Sequence, residues 1–324
     1  MLLLRHADVV GLVSMTEAVA AVRCGFAEQG ADRARLPRRL TADTGAGWMR
    51  LMPAVLEASG VMGFKEMHLT PGVGTAYLVA LYDLRNGKLL SLMDADWLTQ
   101  VRTAATSAVA ADYLARPEPQ RVGLIGTGEQ ARMHLKALRC VRTLAGVDVW
   151  SRDAERRRAF SVTMAAELGV AVRAVASPED AVTGADLVVS AYKAGREPVL
   201  RAGWLRPGMH VCGISSVRAD AREIEDGVWS TCERVVVDDL AHVLESGDGR
   251  SASQAGELRA EAVAELSEVV SGHRRGRERS EEITLFKSVG TALQDLSLAA
   301  ALYRRAVERG AGVDLGEFPR SRLM

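Results

Sequence analysis

The 324 residues exceed a common single domain about twofold, so two domains are expected. Hydrophobic residues make up 48% and charged residues 25%, the balance of a globular protein and not of a disordered one. Basic and acidic residues number 41 each, so no overall field draws the chain to nucleic acid or to an anionic membrane.

Met1 to Leu4 is followed at once by Arg5, His6 and Asp8, too short an apolar run for a signal peptide or a span, and cytoplasm is the expected compartment. Ser14 and Glu17 form a capping box ahead of Ala18, Val19, Val22 and Phe26 at helical spacing, which predicts a helix over 15–28. Residues 31–39 are basic and loop-like around Pro37. Short apolar runs between 48 and 95, broken by glycines and by the hairpin signal Asn86-Gly87, predict a largely antiparallel sheet with strands ending near Asp83 and resuming at Leu89. Thr99 is expected to cap an alanine-rich helix through Leu114, and Pro117 and Pro119 close that segment.

Beyond Pro119, strand-like and helical runs alternate: 121–125, 131–141, 147–150, 154–168, 171–175, 178–183 and 186–190, with further strands at 209–214 and 234–237. This is the pattern of parallel β-α-β construction. Residues 271–282 read as an exposed connection, and the chain from Ile283 to about Val307 as helix. Cys24, Cys140, Cys212 and Cys232 lack paired spacing and read as reduced thiols; the six histidines lack ligand spacing, so no metal is implied.

Residues 121–131, RVGLIGTGEQA, put an apolar strand before Gly126, Thr127, Gly128, Glu129, Gln130 and Ala131, with a helix after them. Gly126 permits a tight turn, Gly128 lets a pyrophosphate approach the backbone, and Ala131 lets the helix press on the sheet; the helix N-terminus supplies N–H groups to phosphate. This predicts a Rossmann-type domain holding a nicotinamide dinucleotide. The next strand ends at Ser151 and Arg152 where an NAD site commonly has a carboxylate. Both can serve a 2′-phosphate, so NADPH is expected in preference to NADH, unless Arg152 is merely solvated and Asp153 takes the acceptor role. Asp238, at the end of the strand 234–237, either orients cofactor or substrate or caps a helix.

Arg102, near a helix start where a cation is disfavoured, either shares an anion with that helix end or pairs with Asp94 or Asp96. Lys65 lies in the apolar stretch Val61 to Met67; pointing inward, it must be paired or carry a lowered pKa.

Four runs resemble the ornithine cyclodeaminase and μ-crystallin family: LMDADWLTQVRTAA at 92–105, IGTGEQA at 125–131, VVVDD at 235–239 and EITLFKSVGTALQDL at 282–296. The resemblance spans about residues 36–305. It implies a homodimer with a Rossmann domain and an α+β substrate and dimerisation domain built from both chain ends, placed here at 1–116 with 303–324, the Rossmann domain taking 117–302. It implies that Arg38, Lys65 and Arg102 hold a substrate carboxylate, with Lys65 and Arg102 catalytic, and that hydride moves between nicotinamide and the α-carbon of an amino or imino acid. The cofactor residues are then Gly126, Thr127, Gly128, Glu129, Gln130, Ser151, Arg152 and Asp238.

One departure bears on the reaction. Cyclodeaminases and alanine dehydrogenases of the family carry an aspartate where this chain has Ser215, and a serine is no general base at neutral pH. The resemblance therefore implies NAD(P)H-dependent reduction of the C=N bond of an imino acid, by a ketimine reductase or amino-acid dehydrogenase. The alternatives are a cyclodeaminase that releases ammonia, with Asp220 folded back as base, and a non-catalytic μ-crystallin-like binding protein.

Overall fold

The computed structural model describes residues 1–215 and 217–317. The chain packs into two compact units, Met1–Arg102 with the residues from Thr291 onward, and Thr103–Gly290.

In the first unit β1 (Leu2–Leu4) and a short α1 (His6–Val9) lead to α2 (Met15–Gly30). The Ser14–Glu17 capping box starts α2 as expected: the Ser14 hydroxyl accepts from the Glu17 N–H, and the Glu17 carboxylate accepts from Ser14 N–H. Five strands follow, β2 (Ala34–Arg35), β3 (Leu40–Asp43), β4 (Trp48–Leu56), β5 (Val61–Thr70) and β6 (Gly74–Asp83), then β7 (Leu89–Asp94). β4 to β7 form an antiparallel meander, and the Asn86-Gly87 turn joins its last two strands. β1 adds to β7 in parallel, and the C-terminal β16 (Val313–Asp314) pairs with β1, so both parts of the chain build one sheet.

α3 (Asp96–Leu114) starts earlier than expected. Thr99 is not its cap: the Thr99 hydroxyl donates back to the Ala95 carbonyl from inside the first turn. Asp96 supplies the acidic group that suits a helix start, and Arg102 lies in the second turn.

The second unit runs β8 (Gln120–Ile125), α4 (Glu129–Leu138), β9 (Leu144–Trp150), α5 (Ala154–Leu168), β10 (Val172–Ala174), α6 (Pro178–Val182) and β11 (Leu187–Ser190). It continues with β12 (His210–Gly213), α7 (Asp226–Thr231), β13 (Arg234–Val237), α8 (Leu240–Glu245), α9 (Gly247–Gln254), β14 (Ala264–Glu265), α10 (Leu266–Val270) and β15 (Thr284–Lys287). Every pairing is parallel, in the order β10-β9-β8-β11-β12-β15-β13-β14. The order reverses beside β8, which sets a ligand crevice at the carboxyl ends of β8 and β11.

The run from Ile283 is not a continuous helix. Thr284–Lys287 is buried at every residue and inserts as β15 between β12 and β13, and α11 (Ala292–Arg309) begins only after the left-handed Gly290. α11 packs in the first unit on α2 and on β4, β5 and β6.

The connection 271–282 holds no helix or strand but carries a structural hub. Arg277 donates to the carbonyls of Leu114 at 2.6 Å, Met209 at 2.9 Å and Ser280 at 3.3 Å, to that of Glu282, and to the Thr284 hydroxyl. Arg277→Met is expected to cost about 3 kcal/mol, read from urea unfolding, because several carbonyls lose their donor together. A change below about 1 kcal/mol would contradict that role.

Candidate functional site

In the first unit, strand alternation decides which way Lys65 points. Its register neighbours Met52 and Val79 are buried under the helices, and Lys65 shares their face with 1% of its surface exposed. Its Nζ donates to Asp295 Oδ1 at 3.1 Å. Arg102 Nε donates to the same oxygen at 2.9 Å, and its Nη1 donates to Gln294 Oε1 at 2.6 Å. Arg102 thus pairs with α11. One fully buried carboxylate is shared by two cations, and Asp295 Oδ2 takes no hydrogen bond among the described residues. Burial is the main force that lowers the Lys65 pKa, to about 8; Asp295 opposes that shift, and Arg102 adds to it. The Lys65 ammonium also lies 5.0 Å from the centre of the Tyr77 ring, whose hydroxyl pKa is raised, chiefly by burial.

Sequence reasoning did not single out Asp295 or Gln294. Arg38 sits between β2 and β3 and is exposed. His68 projects from the opposite face of β5 to Lys65 and pairs with Glu66 at 2.9 Å, so it does not join the cluster.

In the second unit the glycine turn follows β8. Gly126 has φ +120°, and a Cβ there would overlap the carbonyl oxygen of Ala191, beyond β11. Gly128 caps α4 without a side-chain bond to the helix, and a Cβ added to it would meet nothing within 4 Å. That open space before unpaired helix N–H groups fits a pyrophosphate. Gln130 Oε1 is buried without a hydrogen-bond partner among the described residues, and the Gln130 carbonyl accepts from His134, whose pKa burial lowers to about 4. Thr127 Oγ1 donates to Ser151 Oγ at 3.1 Å, and Ser151 in turn donates to the Asp153 carbonyl at 3.2 Å. Arg152 is exposed; Asp153 caps α5 through the N–H groups of Glu155 and Arg156. Asp238 accepts from Ser288 Oγ at 2.6 Å and from the N–H groups of Val289 and Gly290, so its carboxylate pins the turn after β15.

Residues 1–310 match the ornithine cyclodeaminase/mu-crystallin family. The chain belongs to that family. It is 34% identical over 311 residues to a Δ1-pyrroline-2-carboxylate reductase of Bacillus cereus, covering 93% of this chain and 95% of the relative. Its fold matches the Thermococcus litoralis Δ1-pyrroline-2-carboxylate reductase in complex with NADH and L-proline, with a TM-score of 0.92, 34% identity and coverage of 97% and 100% of the two chains. It also matches an archaeal alanine dehydrogenase dimer with bound NAD, with a TM-score of 0.91, 31% identity and coverage of 97% and 98%.

These family members correct the expected preference for NADPH, because the dinucleotides they hold are NADH and NAD. The local chemistry agrees with the correction. The Ser151 hydroxyl donates to the Asp153 carbonyl here, which leaves a lone pair to accept from a ribose hydroxyl. Nor is a cyclodeaminase base supplied at this point of the chain. Ser215 Oγ donates to the Ser190 carbonyl, and Asp220 is exposed, with both carboxylate oxygens taken by Arg218. No helix among the described residues is long and apolar enough to cross a membrane.

Proposed function

We propose that this family member reduces the C=N bond of an α-imino acid with NADH and holds the substrate by its carboxylate. The carrying observation is the convergence of Lys65 and Arg102 on one buried carboxylate, which holds two cations side by side. A substrate carboxylate suits such a pair, with Arg102 able to offer a planar fork and Lys65 a point charge. Lys65, with its pKa near 8, keeps its proton at neutral pH. Asp295 keeps the two cations from separating. In this reading Gly128 and the α4 N-terminus hold the pyrophosphate, Ser151 meets the adenosine ribose, and Asp238 supports the turn 288–290. When bound, the dihydronicotinamide supplies the hydride.

A homodimer is part of this reading. The face of the mixed sheet away from α11 presents Leu51, Pro53, Met62, Phe64, Tyr82 and Leu92, all partly exposed, a contiguous apolar surface suited to a second copy. Four free thiols favour a reducing compartment such as the cytoplasm.

NADH consumption with cyclic imino acids, and with α-keto acids plus ammonia or amines, tests the activity. Turnover with at least one of them is expected; none, together with ammonia release from ornithine, overturns the reading. Two glycine variants test the cofactor loop. Gly128→Ala is expected to weaken NADH about tenfold with unchanged melting, because its methyl enters the pyrophosphate space. Gly126→Ala is expected to lower stability by about 2 kcal/mol or more, through its overlap with Ala191. Unaltered NADH affinity in Gly128→Ala would contradict this placement.

A further inference from the structure

A second buried charge cluster lies in the parallel-sheet unit. Lys287, the last residue of β15, stands in register with Gly213 of β12 and Val237 of β13. Its Nζ donates to Glu223 Oε1 and lies 3.2 Å from Asp248 Oδ2, and all three side chains are completely buried. Asp248 Oδ1 accepts from the N–H groups of Glu223 at 2.9 Å and Ile224 at 3.1 Å. The Glu223 carbonyl accepts from Val199 and Leu200, beyond β11. Its carboxylate reaches the loop after β12, where Oε1 accepts the Ser215 N–H at 2.9 Å. The same loop is tied to β11 by the Ser215 hydroxyl on the Ser190 carbonyl. Gly213 makes room for this, since a Cβ there would lie 3.1 Å from Glu223 Oε1 and 2.6 Å from Ile224 Cδ1.

Glu223 therefore joins the segments that leave β11, β12 and β15, and the N-terminal turn of α9. In a sheet that reverses order beside β8, the ends of β11 and β12 flank the half of the crevice away from the adenosine strand β9, the half that takes the nicotinamide. A fully buried ion pair adds little net stability over apolar side chains of similar volume. A leucine, however, cannot accept the Ser215 N–H. Lys287 faces two carboxylates, and burial raises the Asp248 pKa, with Lys287 opposing that shift and the negative Glu223 adding to it.

We propose that Glu223, held by Lys287 and Asp248, is a positioning residue that fixes the Ser215 loop as one wall of the nicotinamide subsite. This inference rests on the reading of the unit as a dinucleotide domain. Its role acts through the Ser215 backbone, so its loss disturbs ring placement more than carboxylate binding.

The test is steady-state kinetics with NADH carrying deuterium at the transferred position, on the full-length enzyme with a cyclic imino acid. Glu223→Ala is expected to lower kcat by about 10- to 100-fold, to raise the primary isotope effect, and to leave the imino-acid KM within about threefold. Glu223→Gln, which keeps an acceptor for Ser215 N–H, is expected to recover most of kcat. A folded Glu223→Ala with wild-type kcat and isotope effect overturns the proposal. Should that variant not fold, the Lys287→Met/Glu223→Gln/Asp248→Asn triple variant decides, since it keeps the acceptors and removes all three charges. It is expected to hold kcat within about fivefold, and a collapse of kcat in the folded protein overturns the positioning role. Wild-type protein that neither binds nor oxidises NADH would count against the proposed function instead.

Discussion

Asp295→Asn is expected to lower kcat/KM for an imino acid by about 100-fold and to move the alkaline limb of its pH profile downward by about one unit or more. One oxygen of Asp295 accepts from both Lys65 and Arg102, and the group is wholly buried. Asparagine keeps the shape but not the charge. Two cations would then face each other without their shared counter-ion, and removing one partner of a buried pair costs about 3 to 5 kcal/mol. The charge of Asp295 raises the Lys65 pKa against burial and against Arg102, so its loss drops that pKa below about 8. Lys65 then sheds its proton nearer neutrality. A purely structural aspartate would lower the amount of folded enzyme but leave the pH limb in place, so a wild-type profile in the folded variant would contradict this role.

Lys65→Met should lower kcat/KM by about 1,000-fold or more, with much smaller damage to the fold. Methionine matches the apolar surroundings of Met52 and Val79, and it spares the cost of burying an ammonium group. The stability effect has a definite sign. The folded pKa of Lys65 is lowered from 10.5 to about 8, so between these values the unfolded chain binds more protons than the folded one. The penalty is full below pH 8, is relieved as the pH rises from 8 toward 10.5, and is absent above. Wild-type protein should therefore gain stability relative to Lys65→Met across that window, measured by urea unfolding at a series of pH values. In the same window the wild-type kcat/KM should fall as Lys65 loses its proton. A variant that keeps more than about a tenth of kcat/KM, or a stability difference that runs the other way with pH, would contradict the assignment.

What could be read in advance was local. The Ser14–Glu17 box, the Asn86-Gly87 turn and the glycine turn at 126–128 each fix backbone geometry within a few residues, and each appears where the residues demanded it. The run 283–307 shows the limit of periodicity. Consecutive apolar residues satisfy a doubly buried strand as well as a buried helix, and β15 is such a strand. Lys65 stood out as a cation in an apolar stretch, but its direction did not, because β5 carries apolar residues on both faces.

Asp295 was missed because its partners lie 193 and 230 residues away. One signal was available: an aspartate among Leu293, Leu296, Leu298 and Ala299 on a buried helix must have a cationic partner. The cofactor expectation failed for a different reason. Ser151 and Arg152 suit a phosphate by residue type, yet which proton the Ser151 hydroxyl can still donate depends on Asp153, a backbone contact that residue types do not reveal.

We expect hydride to pass from NADH to the α-carbon of an imino acid held at Lys65 and Arg102. The decisive experiment incubates the protein with NADH deuterated at the transferred position and each of a panel of cyclic imino acids, then analyses the products by mass spectrometry and NMR. At least one cyclic amino acid with one deuterium on its α-carbon is expected, with one NADH consumed per molecule formed, a yield abolished by Lys65→Met. Unlabelled product, or ammonia released from ornithine without net consumption of cofactor, would contradict it.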